Sequence, residues 1–260
     1  MPTVRGMTGQ YTMILLVDIG NTRVKWATHG PCGLSPQQAA PHAGWSVGEV
    51  RQQITAQMPA PERIVVSNVA GPRMAALLTD AAHQAWGIEP TFVHSKASEG
   101  GVRNAYSEPD KLGVDRWLGS IAGHRMAAGA VCVVSIGTAM TVDAVDASGR
   151  HLGGLIVPGP DLMKHCLLAA TSDIAARTGQ SQAADSIFAA DTAGAVRQGT
   201  RHALAALIAR CVELMHLQTG QQPTVILTGG ATDQIEPLLA VDHRSVPDLV
   251  LRGLAIVAAV

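Results

Sequence analysis

LLVDIGNTRVKWA at residues 15–27 and CVVSIGTAMTVDAV at residues 132–145 follow one pattern: an apolar strand, a polar residue, an apolar residue, a glycine, a polar turn and a returning strand. Aligned on Gly20 and Gly137, they set Asp18 over Ser135. A second correspondence follows in the same order. IVVSNVAGPRMAAL (64–77) and VILTGGATDQIEPL (225–238) each carry a strand into a small-residue turn and a helix. Neither similarity decides alone; their shared order predicts two copies of one α/β unit. The repeat sets a first domain at 13–125 and a second at 126–260, with 1–12 as a patternless N-terminal extension.

Working outward, alternation and turn residues predict strands at 13–19 and 22–28, then an irregular stretch at 30–46. A helix is expected at 47–57, a strand at 62–68, a helix at 71–86, a strand at 91–95 and a loop at 98–109. Ser107-x-x-Asp110 with Pro109 reads as a helix start, opening a helix to about residue 128. Strands at 131–136, 140–146 and 151–157 follow. Helices are then expected at 159–170 and 189–217, a strand at 224–230, and helices at 232–240 and 248–259.

Composition narrows the function. Hydrophobic residues make up 47% of the 260 and charged residues 15%, enough apolar material for a sizeable core. A net charge of −1 argues against a nucleic-acid surface, and 3% aromatics leave little for stacking on single strands. Cys32, Cys132, Cys166 and Cys211 lie far apart, with no C-x-x-C pair, which suits a reducing cytosol better than a disulfide framework or zinc site. No stretch has the length of a membrane span or a signal-peptide core. The expectation is a cytoplasmic protein acting on a small soluble substrate, without a nucleic-acid or membrane partner.

An ordinary hairpin accounts for Gly20-Asn21, because glycine tolerates positive φ. It does not account for Asp18, Arg23 and Lys25 crowding the same turn. Without a Cβ, the hairpin tip brings backbone N–H groups within reach of phosphate oxygens. Thr22, Thr138 and Thr141 add hydroxyls and Lys25 a compact charge. Asp18 would repel phosphate unless Mg2+ lay between them, as it does with ATP. Two such hairpins in equivalent places of a duplicated fold suit one nucleotide. LTGGA (227–231) fits either a close backbone approach to a ligand or a tight strand-to-helix turn.

LGVDRW (112–117) has two readings. One is a solvated helix face with Lys111 and Asp115 paired at i,i+4. The other makes Asp115 a general base and Arg116 the binder of an anionic substrate through its planar fork. There is no G-x-x-x-x-G-K-[ST] and no G-x-G-x-x-G after a strand, which excludes the Walker and dinucleotide loops. GWSVG (44–48) lacks the strand a nucleophile elbow needs.

Together, DIGNTRVK (18–25), GVDR (113–116), GTAMT (137–141) and LTGGA resemble the motifs of type III pantothenate kinases, in order and spacing, from about Met13 to the C-terminus. The resemblance implies the fold of the acetate-and-sugar-kinase, Hsp70 and actin superfamily: α/β, with duplicated ribonuclease-H-like domains (the actin-like ATPase fold) and nucleotide in the interdomain cleft. It implies ATP-dependent phosphorylation of pantothenate to 4'-phosphopantothenate, the first step of coenzyme A synthesis. On that resemblance Asp18, Ile19, Gly20, Asn21, Thr22, Arg23, Val24 and Lys25 form the first phosphate hairpin. Asp18 lies near Mg2+, directly or through water, and Gly137 and Thr138 touch ATP. Gly113, Val114, Asp115 and Arg116 line the pantothenate site with Asp115 as proton acceptor; Tyr106 and Thr192 match substrate-binding residues. The resemblance also implies a homodimer whose second subunit closes the pantothenate pocket. Many members have an aspartate where this chain has Ser135, and that carboxylate helps bind a monovalent cation. A neutral hydroxyl is a weaker ligand, which puts dependence on K+ or NH4+ in doubt here.

Overall fold

The computed structural model describes residues 13–171, 174 and 186–259. They fall into two compact units, one running to His94 and including the last residues from Ala258, the other spanning Ser95–Val257. This division by packing differs from the division by repeat at 125/126. Residues 95–125 join the second unit because the helix Val114–Met126 buries its side chains against that unit's sheet.

The first unit is built on β1 (Ile14–Ile19), all six residues of which are buried. It pairs antiparallel with β2 (Arg23–Gly30) and parallel with β5 (Arg63–Asn68), which in turn pairs with β6 (Thr91–Phe92). The stretch expected to be irregular supplies β3 (Gly33–Leu34) and β4 (Gln38–Pro41), both paired with β2. Their ordering comes from cross-strand hydrogen bonds, which local propensity does not reveal. Side chains alternate along β1. Leu15, Val17 and Ile19 pack with Met74, Leu78, Ala81 and Ala82 of α2 (Pro72–Trp86), so Asp18 lies on the opposite face with Leu16. The helix expected at 47–57 is α1 (Val47–Val50), opened by a Ser46/Glu49 capping box, running on as a π-helical turn, Arg51–Thr55.

The second unit repeats the plan. After a short hairpin of β7 (Ser98–Glu99) and β8 (Val102–Arg103), within the expected loop, comes α3 (Val114–Met126). Then follow β9 (Val131–Ile136), β10 (Ala139–Val145), β11 (His151–Pro158), α4 (Pro160–Ala170), α5 (Thr192–Thr219), β12 (Thr224–Thr228), α6 (Thr232–Ile235), β13 (His243–Ser245) and α7 (Leu249–Ala258). The main paths of the two sheets run β3-β2-β1-β5-β6 and β11-β10-β9-β12-β13, the same order in each. The register agrees too. Asp18 stands between Lys25 and Ser67, and Ser135 stands between Thr141 and Thr228. The predicted duplication is therefore present strand by strand.

The second sheet is covered on both faces. Leu204, Ile208, Val212 and Met215 of α5, at helical spacing, pack on Cys132, Val134 and Ile136. Trp117 and Ile121 of α3, with Leu249 of α7, pack on Val131 and Val133. By alternation along β10, Asp143 lies on the α3 face with Val145. Among the described residues no helix is long and apolar enough to cross a membrane.

The expected helix start at Ser107 and Asp110 is wrong. Pro109–Lys111 forms a single 3-10 turn, Leu112 is extended, and α3 begins after Gly113. Asn104 governs the loop instead: its Oδ1 accepts from Tyr106 N at 3.0 Å and its Nδ2 donates to Pro109 O at 3.2 Å.

Candidate active site

The first hairpin closes with Gly20 N–H donating to Arg23 O at 3.0 Å. Asn21, Thr22 and Arg23 are exposed at its tip, while Ile19 and Val24 anchor it in the core. His42 braces the turn: its backbone N–H reaches Thr22 O at 3.3 Å, and its Nε2 lies 2.7 Å from Gly20 O. A carbonyl only accepts, so Nε2 carries the proton. Asp18 is buried and accepts from Ser67 Oγ at 3.0 Å, with half-buried Lys25 opposite it in the ladder. Among the described residues no cluster of three His, Cys, Asp or Glu could hold a metal ion. A single buried carboxylate suits Mg2+ brought by a nucleotide, because Mg2+ keeps waters and phosphate oxygens as most of its ligands.

The second hairpin is one residue tighter and closes with Gly137 N–H to Ala139 O at 3.0 Å, with Thr138 exposed. Two further segments meet it. Gly159, capping α4, donates to Thr138 O at 2.9 Å, and Ala231 donates to Ile136 O at 3.0 Å. LTGGA is therefore a tight strand-to-helix turn, and the backbone it closely approaches is that of Ile136. Gly229 has φ +104°, and a Cβ there would overlap the backbone of Ile136. The turn borders a cavity of about 240 Å3 lined in part by Thr228, Gly230, Asp233 and Ser245. Gly229→Ala is expected to destabilise the chain by about 1–3 kcal/mol, the usual cost of overpacking a tight site. Urea unfolding reads this, and an unchanged midpoint would contradict the close approach.

GVDR opens α3. Gly113 is the N-cap, Val114 the first helical residue, and Asp115 lies in the first turn, its Oδ1 accepting from Arg116 N at 2.9 Å. Burial raises the Asp115 pKa, against the opposing pull of the Arg116 N–H and charge. The solvated-face reading fails here. Lys111 is exposed ahead of the helix and forms no ion pair with Asp115, and Arg116 is buried.

Arg116 makes a two-point pair with Asp143, Nε to Oδ2 at 2.9 Å and Nη2 to Oδ1 at 2.7 Å. Its Nη1 donates to Tyr106 Oη at 3.1 Å. Burial pulls the guanidinium pKa down, but the hydrogen bonds and charge of Asp143 outweigh it and the net shift is upward. The fork expected to grip a substrate carboxylate is thus held sideways by Asp143. Three of its five N–H groups are used, and two have no hydrogen-bond partner among the described residues. His151 Nε2 lies 3.0 Å from Asp143 Oδ1, and its ring stacks on Tyr106. Thr192 is the first residue of α5, whose cap is Asp191 accepting from Gly194 N at 2.7 Å. Among the described residues no hydrogen bond joins Thr192 to the Arg116 cluster.

The model of the type III pantothenate kinase family matches residues 14–214, which contain both hairpins, GVDR and Thr192. The chain belongs to the type III pantothenate kinase family. A type III pantothenate kinase from Nitrosococcus oceani is 37% identical over 251 residues, 95% of this chain and 94% of that one. Two solved structures share the fold. A candidate Baf family transcriptional activator from Campylobacter jejuni superposes with a TM-score of 0.60 at 20% identity, covering 94% of this chain and 97% of its own. The activator of 2-hydroxyisocaproyl-CoA dehydratase from Clostridium difficile, with bound ADPNP, gives 0.51 at 15%, covering 96% and 94%. The fold is the duplicated actin-like ATPase fold.

Sequence reasoning missed Asp143, His151, Ser67 and His42. Asp143 carried the same signal that singled out Asp18, an acid inside an apolar strand, MTVDAV at 140–145. Its partner, 27 residues away, gave no sign of the pairing.

Proposed function

We propose that this family member phosphorylates the primary hydroxyl of pantothenate with ATP, giving 4'-phosphopantothenate and ADP at the start of coenzyme A synthesis. The observation that carries the reading is Asp115, a half-buried carboxylate of raised pKa at the start of α3 beside a fixed guanidinium. The hydroxyl oxygen attacks the γ-phosphorus, its proton passes to an Asp115 carboxylate oxygen, and ADP leaves with the bond electrons. An alcohol is almost fully protonated at neutral pH, and a positioned base contributes about 10²–10⁴-fold.

The remaining N–H groups of Arg116 and the Tyr106 hydroxyl orient the pantothenate carboxylate, with Gly113, Val114 and Thr192 contributing to the pocket. Asp18 to Lys25, with Gly137 and Thr138, bind the nucleotide phosphates. Mg2+, held at Asp18, neutralises phosphate charge when bound. The homodimer belongs to the same reading. Edge strand β11 exposes Leu155 and Ile156, apolar surface for a second copy to cover.

Release of ADP should depend on pantothenate and not on glucose or acetate. Release with a sugar or acetate in place of pantothenate would favour another kinase of the same fold. Rates in K+, NH4+ and Na+ at one ionic strength should be equal, since Ser135 brings no charge to a cation.

A further inference from the structure

Tyr106, Arg116, Asp143 and His151 form a closed ring. Arg116 bonds Tyr106 Oη and both oxygens of Asp143, His151 reaches Asp143 Oδ1, and the His151 ring returns to Tyr106, with centroids 6.3 Å apart and planes at 22°. We infer that His151 is a positioning residue for the pantothenate site, one that sets the plane of the Arg116 guanidinium through Asp143 and Tyr106 without touching substrate. The inference rests on the reading of Arg116 and Tyr106 as pantothenate-binding residues.

Chemistry fixes the direction of each bond. Asp143 Oδ1 already accepts from Arg116 Nη2, and a carboxylate paired with a guanidinium offers only lone pairs. His151 Nε2 must therefore be the donor. The other ring nitrogen, Nδ1, is buried with no hydrogen-bond partner among the described residues, in a side chain that is fully enclosed. An apolar side chain would fill this space with no orphaned nitrogen, so the histidine is not explained by packing alone. Its donor end and its flat face account for it. The first holds one oxygen of Asp143, and the second backs the ring of Tyr106. These are the two acceptors of Arg116.

Gly154 seals the same cluster. A Cβ at that position would overlap Arg116 Nη2, Asp143 Oδ1 and Val142 O, so the backbone of β11 lies directly against the ion pair. His151 and Gly154 sit on one strand, which gives β11 two hands on the guanidinium.

The test compares His151→Gln with His151→Asn. The Gln amide reaches the depth of Nε2 and can donate to Asp143; the Asn amide ends near the level of Nδ1 and cannot. Both lose the ring that backs Tyr106; Asn is also one methylene smaller, so His151→Leu, which fills the space without a donor, is the packing control and should behave as His151→Asn. The first readout needs no substrate. In ¹H–¹⁵N spectra the Arg116 Nε–H should exchange slowly in wild type and His151→Gln and rapidly in His151→Asn. The second is kinetic. His151→Asn should raise KM for pantothenate about tenfold, the equivalent of one lost hydrogen bond, with KM for ATP and kcat unchanged, and His151→Gln should stay near wild type. Slow Arg116 Nε–H exchange in His151→Asn, or equal rises in both KM values, would overturn the inference. A wild type that forms no ADP from pantothenate overturns the functional reading instead, and the exchange comparison still decides the role of His151.

Discussion

Asp115→Asn is expected to lower kcat by about 10²–10⁴-fold, the range for removing a positioned general base, while ATP affinity and the fold are kept. Asparagine has the shape of aspartate, and its Oδ1 can still accept from Arg116 N. What it lacks is a basic oxygen for the hydroxyl proton. Stability should move the other way. Burial raises the Asp115 pKa in the folded chain, so its contribution to stability is full below the unfolded value and is lost as pH rises through the folded one. At neutral pH the ionised carboxylate therefore costs the fold something that the amide does not. Calorimetry should show a Tm at or above wild type in the same preparation that has lost turnover. In wild type the active form is the carboxylate, so kcat/KM should fall on acidification with a midpoint above the ordinary aspartate value of about 3.9. Near-normal kcat in Asp115→Asn would end the assignment.

This division between activity and stability explains which parts of the molecule could be read from its residues. The two sheets were legible because each hairpin carries a local signal, an apolar strand ending in glycine, and two local signals in the same order make a global one. GVDR was legible as four neighbours with chemistry. What stayed hidden needed a partner. β3 and β4 are strands because β2 offers them a ladder, and α3 starts at Val114 because Leu112 is extended and Asn104 has already organised the loop before it. Arg116 read as part of a solvated face or as a ligand; only the carboxylate on β10 decides that it is buried. His151 gave no signal at all, because one histidine at a strand start is compatible with almost any surface. The site is composed of short motifs that are visible in sequence and of struts from other strands that are not.

Asp143→Ala should have the largest effect on stability, about 3–5 kcal/mol, because it removes one partner of a buried ion pair and leaves the other charged. The side chains of Arg116 and Asp143 are 6% and 2% exposed, so water cannot take over the lost hydrogen bonds without opening the cluster. A guanidinium does not escape by losing its proton, since its pKa remains far above neutrality. The damage extends further. His151 Nε2 loses its acceptor, and Tyr106 Oη becomes the remaining side-chain partner of Arg116. The control is the double variant Arg116→Met with Asp143→Leu, in which no buried charge remains. Its stability should return most of the way to wild type, as replaced buried pairs do, although pantothenate binding through Arg116 is gone. Urea unfolding of wild type, Arg116→Met, Asp143→Leu and the double variant closes a thermodynamic cycle, and the expected coupling between the two sites is at the upper end of the usual 0.5–3 kcal/mol for contacting residues. A loss below about 1 kcal/mol in Asp143→Ala, typical of an exposed pair, would mean that the cluster opens to water readily. The Arg116 plane would then not be held by the ring, and the positioning role of Asp143 and His151 would fall with it.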